Sequence, residues 1–531
     1  MRTQLLLGGR IYSPTAPDAT AMAVTDGVVT WTGEDRTGRA LHPGALEIDL
    51  DGCFVAPAFV DTHVHTTALG LALVGLDLSG CTSRLECIER LRVHVQSSAE
   101  PIVWGHGWDD SSWVDGGSLL TSDVDEVAPG RNVYLSRIDA HSAACSTPLR
   151  RASEVTNSTI GFHPEEPLTA DAHHAVRAFA RSLLNSRVRG EARSAALDFA
   201  ASRGICAVHE CGGPDIAGLL DFRELLAAEH GVEVRGYWGQ AVEDAHSARA
   251  LLAETGADGL GGDLFVDGSI GSHTAWLTES YADTAGTGIA FQDVDAIAAH
   301  LDACTEAGIQ AGFHAIGDGA VGAVTDALAR VASRVGGPTL ASLGHRVEHM
   351  EMVTDVQAQK LAAWGVIGSM QPGFDALWGG DGGLYSYRLG SDRAKELNPF
   401  ARLASAGVSL AFGSDAPVTV IDPWAMVGAA VRHRTPGSAI SPRAAFSAAT
   451  RGAWRAGGVR DGLAGTLVPG APASYAVWDV DELVVRAPAD GVARWSTDPR
   501  AGVPALPSLE ADAARPRCVR TVHRGRVIHE A

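Results

Sequence analysis

Residues 54–65 read Phe54-Val55-Ala56-Pro57-Ala58-Phe59-Val60-Asp61-Thr62-His63-Val64-His65. The first seven are apolar and read as a buried strand, Phe54–Val60, that runs into a polar end. On extended backbone His63 and His65, at i and i+2, point to the same side. Both imidazoles can then bind one metal ion. The pair alone decides little, because 20 His among 531 residues give about one such pair by chance.

Seven more apolar runs of strand length follow: 204–209, 232–238, 264–267, 310–314, 344–349, 366–370 and 409–413. Helical runs such as Asp293 to Ala307 and Asp355 to Trp364 lie between several of them. Eight strands alternating with helices predict an α/β fold, a (β/α)8 TIM barrel. Three further runs finish in metal-competent residues: His314, His349 and Asp415. Each taken singly could be a polar strand end satisfied locally. Four such ends together point to the C-terminal face of a barrel, where sites are built. Histidine and aspartate without thiolate suit zinc or another divalent transition metal, one ion or two.

Both chain ends have a different texture. LLLGGRIYS, AMAVTDGVVTWTG and ALEIDLDGCFVAP read as short strands, with a hairpin turn at Thr25-Asp26-Gly27. Ala473 to Trp478 and Val519 to Ile528 read likewise. Residues 1–56 and 465–531 are therefore predicted to form one small β-sandwich, with the barrel at 57–464. The gap after His65 is too long for a crossover helix. It predicts an inserted subdomain at about 68–198, with strands near Ile102–Trp104 and Val133–Ser136. Residues 486–517, rich in Pro and Ala, read as an irregular surface connection.

The formal net charge is −21, with 40 Arg and only two Lys, Lys360 and Lys395. That argues against nucleic acid and anionic membrane as partners and for a small-molecule substrate. The apolar run Leu5 to Leu7 is too short for a secretory signal, so a cytoplasmic location is expected. Homodimerisation is left open. The eight cysteines form no CxxC pair and read as buried thiols. There is no GxxxxGK[ST] phosphate loop and no GxSxG nucleophile elbow.

With these pieces in hand, the sequence resembles the amidohydrolase superfamily, in its amidohydrolase family 3 branch. The matching segments are APAFVDTHVH, GHGWDDSSW, DAHSA, LFVDGSIGSHTA, FHAIGDGA, HRVEHM, SMQP, PFARLASAGVSLAFGSDAPV and GLAGTLVPGAPASYAVWDVD, spread over nearly the whole chain. The resemblance implies a metal-bearing barrel with His63 and His65 as ligands. It makes His314 and His349 the strand 5 and strand 6 histidines. It makes Asp415 a metal partner and proton carrier. One position departs: many two-metal relatives carry a carboxylated lysine four residues before the aspartate of DGS, and here that residue is Asp263. The preferred expectation is one metal on His63, His65, His314 and Asp415, with His349 polarising water or a substrate carbonyl. A second metal on His314, His349 and Asp263 is the alternative.

The catalytic pair expected is Asp415, as proton carrier, and His349. Loop residues His106, Trp108, Asp109, Asp139, His141, Asp267, Ser269, His273, Trp378, Tyr385, Tyr387 and Arg388 are candidates for substrate contact. The reaction expected is hydrolysis of a C–N bond in an amide-like, N-acyl or N-formyl substrate. Deamination of a heterocycle at a one-metal site is the alternative within hydrolases. A non-catalytic binding or regulatory relative is the alternative outside them.

Overall fold

A computed structural model describes residues 2–97, 100–113, 117–484 and 504–531. Parallel pairing runs from the Phe59–Val64 strand to Ile205–Gly212 and on to Glu233–Trp238. A second parallel set follows the order Gly312–Ala315, Arg346–His349, Ile367–Met370, Ser409–Phe412. Isolated parallel bridges join the two sets: Tyr237 to Gly259, Leu260 to Ala311 and Phe265 to His314 on one side, Val64 to Ala416 on the other. The pairings thus close into a ring of the TIM-barrel type, with helices between successive strands. The largest buried apolar cluster, including Phe59, Val208, Phe313, Val347 and Phe412, surrounds it.

Two strand boundaries differ from the sequence reading. The run 54–60 is not one strand. Phe54–Pro57 pairs antiparallel with Tyr475–Asp479 and parallel with Arg10–Ile11, while Phe59–Val64 enters the ring. The switch falls at Ala58, whose N–H bonds the Ser474 carbonyl while the next N–H, of Phe59, bonds Gly204. Pro57 has no N–H to carry a ladder onward. The stretch 264–267 forms no continuous strand and holds its place through single bridges. Glycines at 259, 261 and 262 weaken it as a strand, and they allow close approach. A Cβ on Gly261 would lie 2.4 Å from the Gly312 backbone.

The termini meet in one sheet, of order Arg10–Ile11, Phe54–Pro57, Tyr475–Asp479, Arg517–His523, Arg526–Glu530. A four-stranded sheet of N-terminal strands lies with it around Leu6, Met22, Val55, Tyr475 and Val522. The hairpin turn adopts positive φ at both Asp26 (48°) and Gly27 (79°), as a type I′ turn requires. Much of the expected connection 486–517 lies outside the described residues. Leu506–Pro507, within it, pairs with Leu483–Val484.

Between the first two ring strands the chain builds a separate five-stranded sheet, which includes Ile102–Trp108 and Asn132–Arg137. The helices Ala170–Ser182 and Ser186–Ser202 bring it back. No disulfide links the eight cysteines, and all but Cys53 are buried. Among the described residues no helix is long and apolar enough to cross a membrane.

Candidate metal centre

His63 lies in the last turn of its strand's ladder, and His65 caps the helix Thr66–Val74. Their rings sit 5.3 Å apart. The strand is stitched to the far end of the ring. Asp415 N–H donates to His63 O (2.7 Å), His65 N–H donates to Ala416 O (2.9 Å), and Asp61 accepts from the backbone of Ser414 (2.8 Å) and His63 (3.2 Å). Gly413 is required here, since a Cβ would meet His63 N at 2.5 Å. Asp415 and His349 adopt φ of 56° and 68°, a region few non-glycine residues enter, and such strain clusters at functional sites.

The donor atoms converge on one point. His63 Nε2 lies 3.3 Å from Asp263 Oδ1 and 3.5 Å from Asp415 Oδ1. His65 Nε2 lies 3.2 Å from each of Asp263 Oδ2 and Asp415 Oδ1. His349 Nε2 is 4.0 Å from Asp263 Oδ1. Three metal-sized groupings share His63: one with Cys211 and Glu348, and two within the cluster, His63–His65–Asp415 and His63–Asp263–His349. Asp263 stands at the middle of the cluster rather than beside it. His314 belongs to neither grouping; its ring lies 4.4 Å from that of His349, and its Nδ1 is 3.6 Å from Asp267.

Hydrogen bonds fix the tautomers. His63 Nδ1–H donates to Glu348 (3.0 Å), which leaves Nε2 as a lone pair without a hydrogen-bond partner. Gln371 Nε2 donates to Ser369 O, so its Oε1 accepts from His349 Nδ1–H at 2.8 Å. His349 Nε2 is therefore also a bare acceptor. Two lone pairs and two carboxylates facing one another without a proton donor form a cage for a cation. Asp263 Oδ1, buried and without a hydrogen-bond partner, confirms the mismatch. In the bare protein, protons take that role. Burial alone would push the His65 imidazole down, but Asp263 and Asp415 lift it to about 9. At His63 the same carboxylates overcome burial and hold the pKa well above its ordinary value. The neighbouring Cys211 thiol, pushed up to about 12 by burial, is uncharged at neutral pH. Burial, then His314 and His63, hold His349 well below the usual histidine range.

Beneath the cluster lies a network that sequence reasoning missed. Arg346 donates to both oxygens of Glu348 (2.6 and 2.9 Å), to Thr62 O (2.7 Å), to Ser369 Oγ (3.0 Å) and to His209 Nδ1 (3.0 Å). Burial pushes the Glu348 carboxyl up, but Arg346 outweighs it and holds the pKa at about 2. A signal existed. Arg346 and Glu348 alternate with Val347 in a ring strand, so their side chains share the inward face.

The loop candidates divide. His106, His141, Asp139 and Trp378 line the cleft over the cluster, as do Ser269 and Tyr385. His106 Nε2–H donates to Pro417 O at 3.0 Å. Burial, then the charge of His314, push His141 down to about 4. Trp108 lies elsewhere, in the core of the insert, with its indole N–H on Leu135 O (2.8 Å). Asp109 joins Asp110 and Asp139 in clamping Arg137, at 2.7, 3.1 and 2.9 Å. Asp267 accepts three backbone N–H groups, of Trp276, Ile316 and Gly317. His273 and Arg388 both hold Asp283 (3.0 and 2.5 Å), which ties two loops together. Tyr387 is exposed. Gly268 and Gly271 are needed for close approach, since a Cβ on Gly271 would lie 2.7 Å from Asp139 Oδ2.

Residues 46–529 match the model of the amidohydrolase family. The chain is 28% identical over 466 residues to Protein LONG AFTER FAR-RED 3 of Arabidopsis thaliana, covering 81% of this chain and 78% of that protein. It is 23% identical to the N-substituted formamide deformylase of Arthrobacter pascens, covering 84% and 87%. An uncharacterized metal-dependent hydrolase from Pyrococcus furiosus superposes with a TM-score of 0.68 at 26% identity, covering 90% of this chain and 99% of that one. A buried cage of histidine and aspartate on a ring of parallel strands, together with a family match across most of its length, makes this chain a member of the amidohydrolase family.

Proposed function

We propose that the protein is a metal-dependent amidohydrolase that cleaves a C–N bond in an amide-like substrate of the N-acyl or N-formyl type. The carrying observation is the convergence of metal-competent atoms, His63 Nε2, His65 Nε2 and the carboxylates of Asp263 and Asp415, within about one coordination sphere of each other. The formamide deformylase relative supports the bond type. His63, His65, Asp263 and Asp415 would hold one divalent ion, for which zinc suits the donor set, with His349 beside them. One Nε2 lone pair serves one metal, and both groupings within the cluster draw on His63.

The ion supplies Lewis acidity, which brings water ionisation toward neutral pH. The chain's residues do the rest. Asp415, held by the backbone of His63, accepts a proton from water and returns it to the leaving nitrogen. Glu348 keeps His63 in its Nε2-lone-pair tautomer, and Gln371 does so for His349. His349 therefore acts as a donor atom toward the ion rather than as a hydrogen-bond donor to the substrate carbonyl. The residues around the cleft exclude bulk water.

Elemental analysis of protein purified without added metal, beside His63→Ala, tests the reading. About one zinc per chain, lost in the variant, supports it. Two per chain requires a second position on His314, His349 and Asp263. No metal after reconstitution overturns it in favour of a binding protein. Asp263, in place of a bridging carbamate, also suits a one-metal deaminase. Ammonia released from an aminoheterocycle, with no amide cleaved, would select that reading.

A further inference from the structure

The helix Ala170–Ser182 carries His174, Arg177 and Arg181 at i, i+3 and i+7, on a single face. Arg177 and Arg181 line the same cleft as His65, Asp263, His314, His349 and Asp415. Both are buried, at 6% and 8% exposure. Arg177 spends two of its nitrogens on neutral carbonyls, Nε on Asp215 O (3.0 Å) and Nη1 on Ala140 O (3.3 Å), and its Nη2 has no partner. Arg181 lies over the Trp104 ring, 5.2 Å from its centroid, and its Nε has no partner. Among the described residues no carboxylate lies within 4 Å of either guanidinium.

Of the other buried guanidiniums, Arg150, outside the cleft, rests on the backbone carbonyls of His163, Pro164 and Glu166, and three are neutralised. Arg137 has three aspartates, Arg193 has Asp221 and Glu224, and Arg346 has Glu348. A buried cation without a counter-charge is costly, and two one turn apart repel as well. Burial already holds the Arg181 guanidinium below its ordinary pKa. An arrangement so unfavourable in the empty cleft fits an anion that arrives with the ligand. An adjoining part of the cleft is partly apolar, although Arg137, Asp139 and Glu351 also line it. Ile270, Ile316, Phe374, Trp378 and Leu384 line a pocket that shares His314, His349 and Asp415 with the arginine side.

We infer that Arg177 and Arg181 form a carboxylate subsite, so that the substrate is an amide with a carboxylate on one side of the scissile bond and an apolar group on the other. This rests on the amidohydrolase reading for the bond, but not for the binding. N-(phenylacetyl)glycine and N-benzylsuccinamate present the two groups in either order, and their uncharged primary amides are matched controls. Affinity is measured by calorimetry on the metal-loaded protein, and hydrolysis by release of amine.

At least one acid should bind ten-fold or more tightly than its amide. Arg181→Gln should cut that ratio at least five-fold at unchanged metal content, and Arg181→Lys should restore part of it. The Arg181 side chain makes no hydrogen bond among the described residues, so its replacement by Gln breaks none of those that hold the fold; Arg177→Gln provides a second reading. Equal affinity of acids and amides overturns the subsite. So does a preference that survives both Gln variants, because the carboxylate would then be bound by the metal. Selective binding without any hydrolysis leaves the subsite standing and removes the amidohydrolase reading instead.

Discussion

Two layers of buried charge lie one above the other in this ring. In the lower, Arg346 and Glu348 are both fully buried, and every contact closes on another group of the chain. In the upper, His63 Nε2 and Asp263 Oδ1 lack hydrogen-bond partners, and so do Arg177 Nη2 and Arg181 Nε. Burial is alike in both, so burial does not mark a functional site. What sets the two apart is charge balance: in the lower layer Arg346 and Glu348 offset each other, and the upper would be completed by a cation at one point and an anion at another.

The sharpest break of the upper layer is Asp415→Asn. The amide keeps the shape but takes no proton, so kcat should fall by about 10²–10⁴-fold in protein reconstituted to full metal content. Full turnover in that variant would remove Asp415 from the proton path. The lower layer is broken by Glu348→Gln. It leaves Arg346 buried without its counter-charge, at about 3–5 kcal/mol in urea unfolding. Metal affinity should fall by about 10–100-fold in a chelator competition, because His63 loses its orienting partner.

The same variant isolates a pH dependence. Glu348 in the folded chain titrates at about 2, below its ordinary value of 4.5. A depressed carboxyl contributes stability above its unfolded pKa and loses it as pH falls toward the folded one. The stability difference between wild type and Glu348→Gln should therefore be full at pH 7 and begin to shrink below about pH 5. A difference that grows on acidification would contradict the ion pair. The smallest effect is expected at Trp108→Phe, which removes the Leu135 hydrogen bond from the insert core: about 1 kcal/mol of stability, with KM unchanged. A raised KM would return Trp108 to the list of substrate contacts.

The ring was largely legible because apolar runs alternating with helical ones, four of them leading into a histidine or aspartate, are a one-dimensional trace of one face of a barrel. Phe54–Val60 misled because a run of apolar residues carries no sign of which sheet each half joins; only Pro57 hinted at the break. Leu264–Asp267 misled because strand propensity does not register glycines that draw the backbone close to Gly312. Among site residues, the motifs and the family resemblance brought out His63, His65, Asp263, His349 and Asp415, which the structure gathers in one place, and His314, which stands beside them. It ranked Asp263 last among them, because the importance of an aspartate at that position depends on a distance. Arg177 and Arg181 had no signal at all. In a helix of an arginine-rich chain they look like solvent-facing charges, and only the packing of the insert onto the ring buries them.

The hydrogen bonds between Asp61 and Ser414 join residues 353 positions apart. The ring has its seam there, and the candidate metal ligands sit on both sides of it. During synthesis His63 and His65 leave the ribosome long before their partner Asp415 exists. At about 5–20 residues per second that interval is roughly 20–70 s. Through it the nascent chain carries a histidine pair with no cage, and a fragment ending before the last ring strand would carry none either. A centre built on both sides of this seam cannot load before the last ring strand arrives, whatever the supply of the ion.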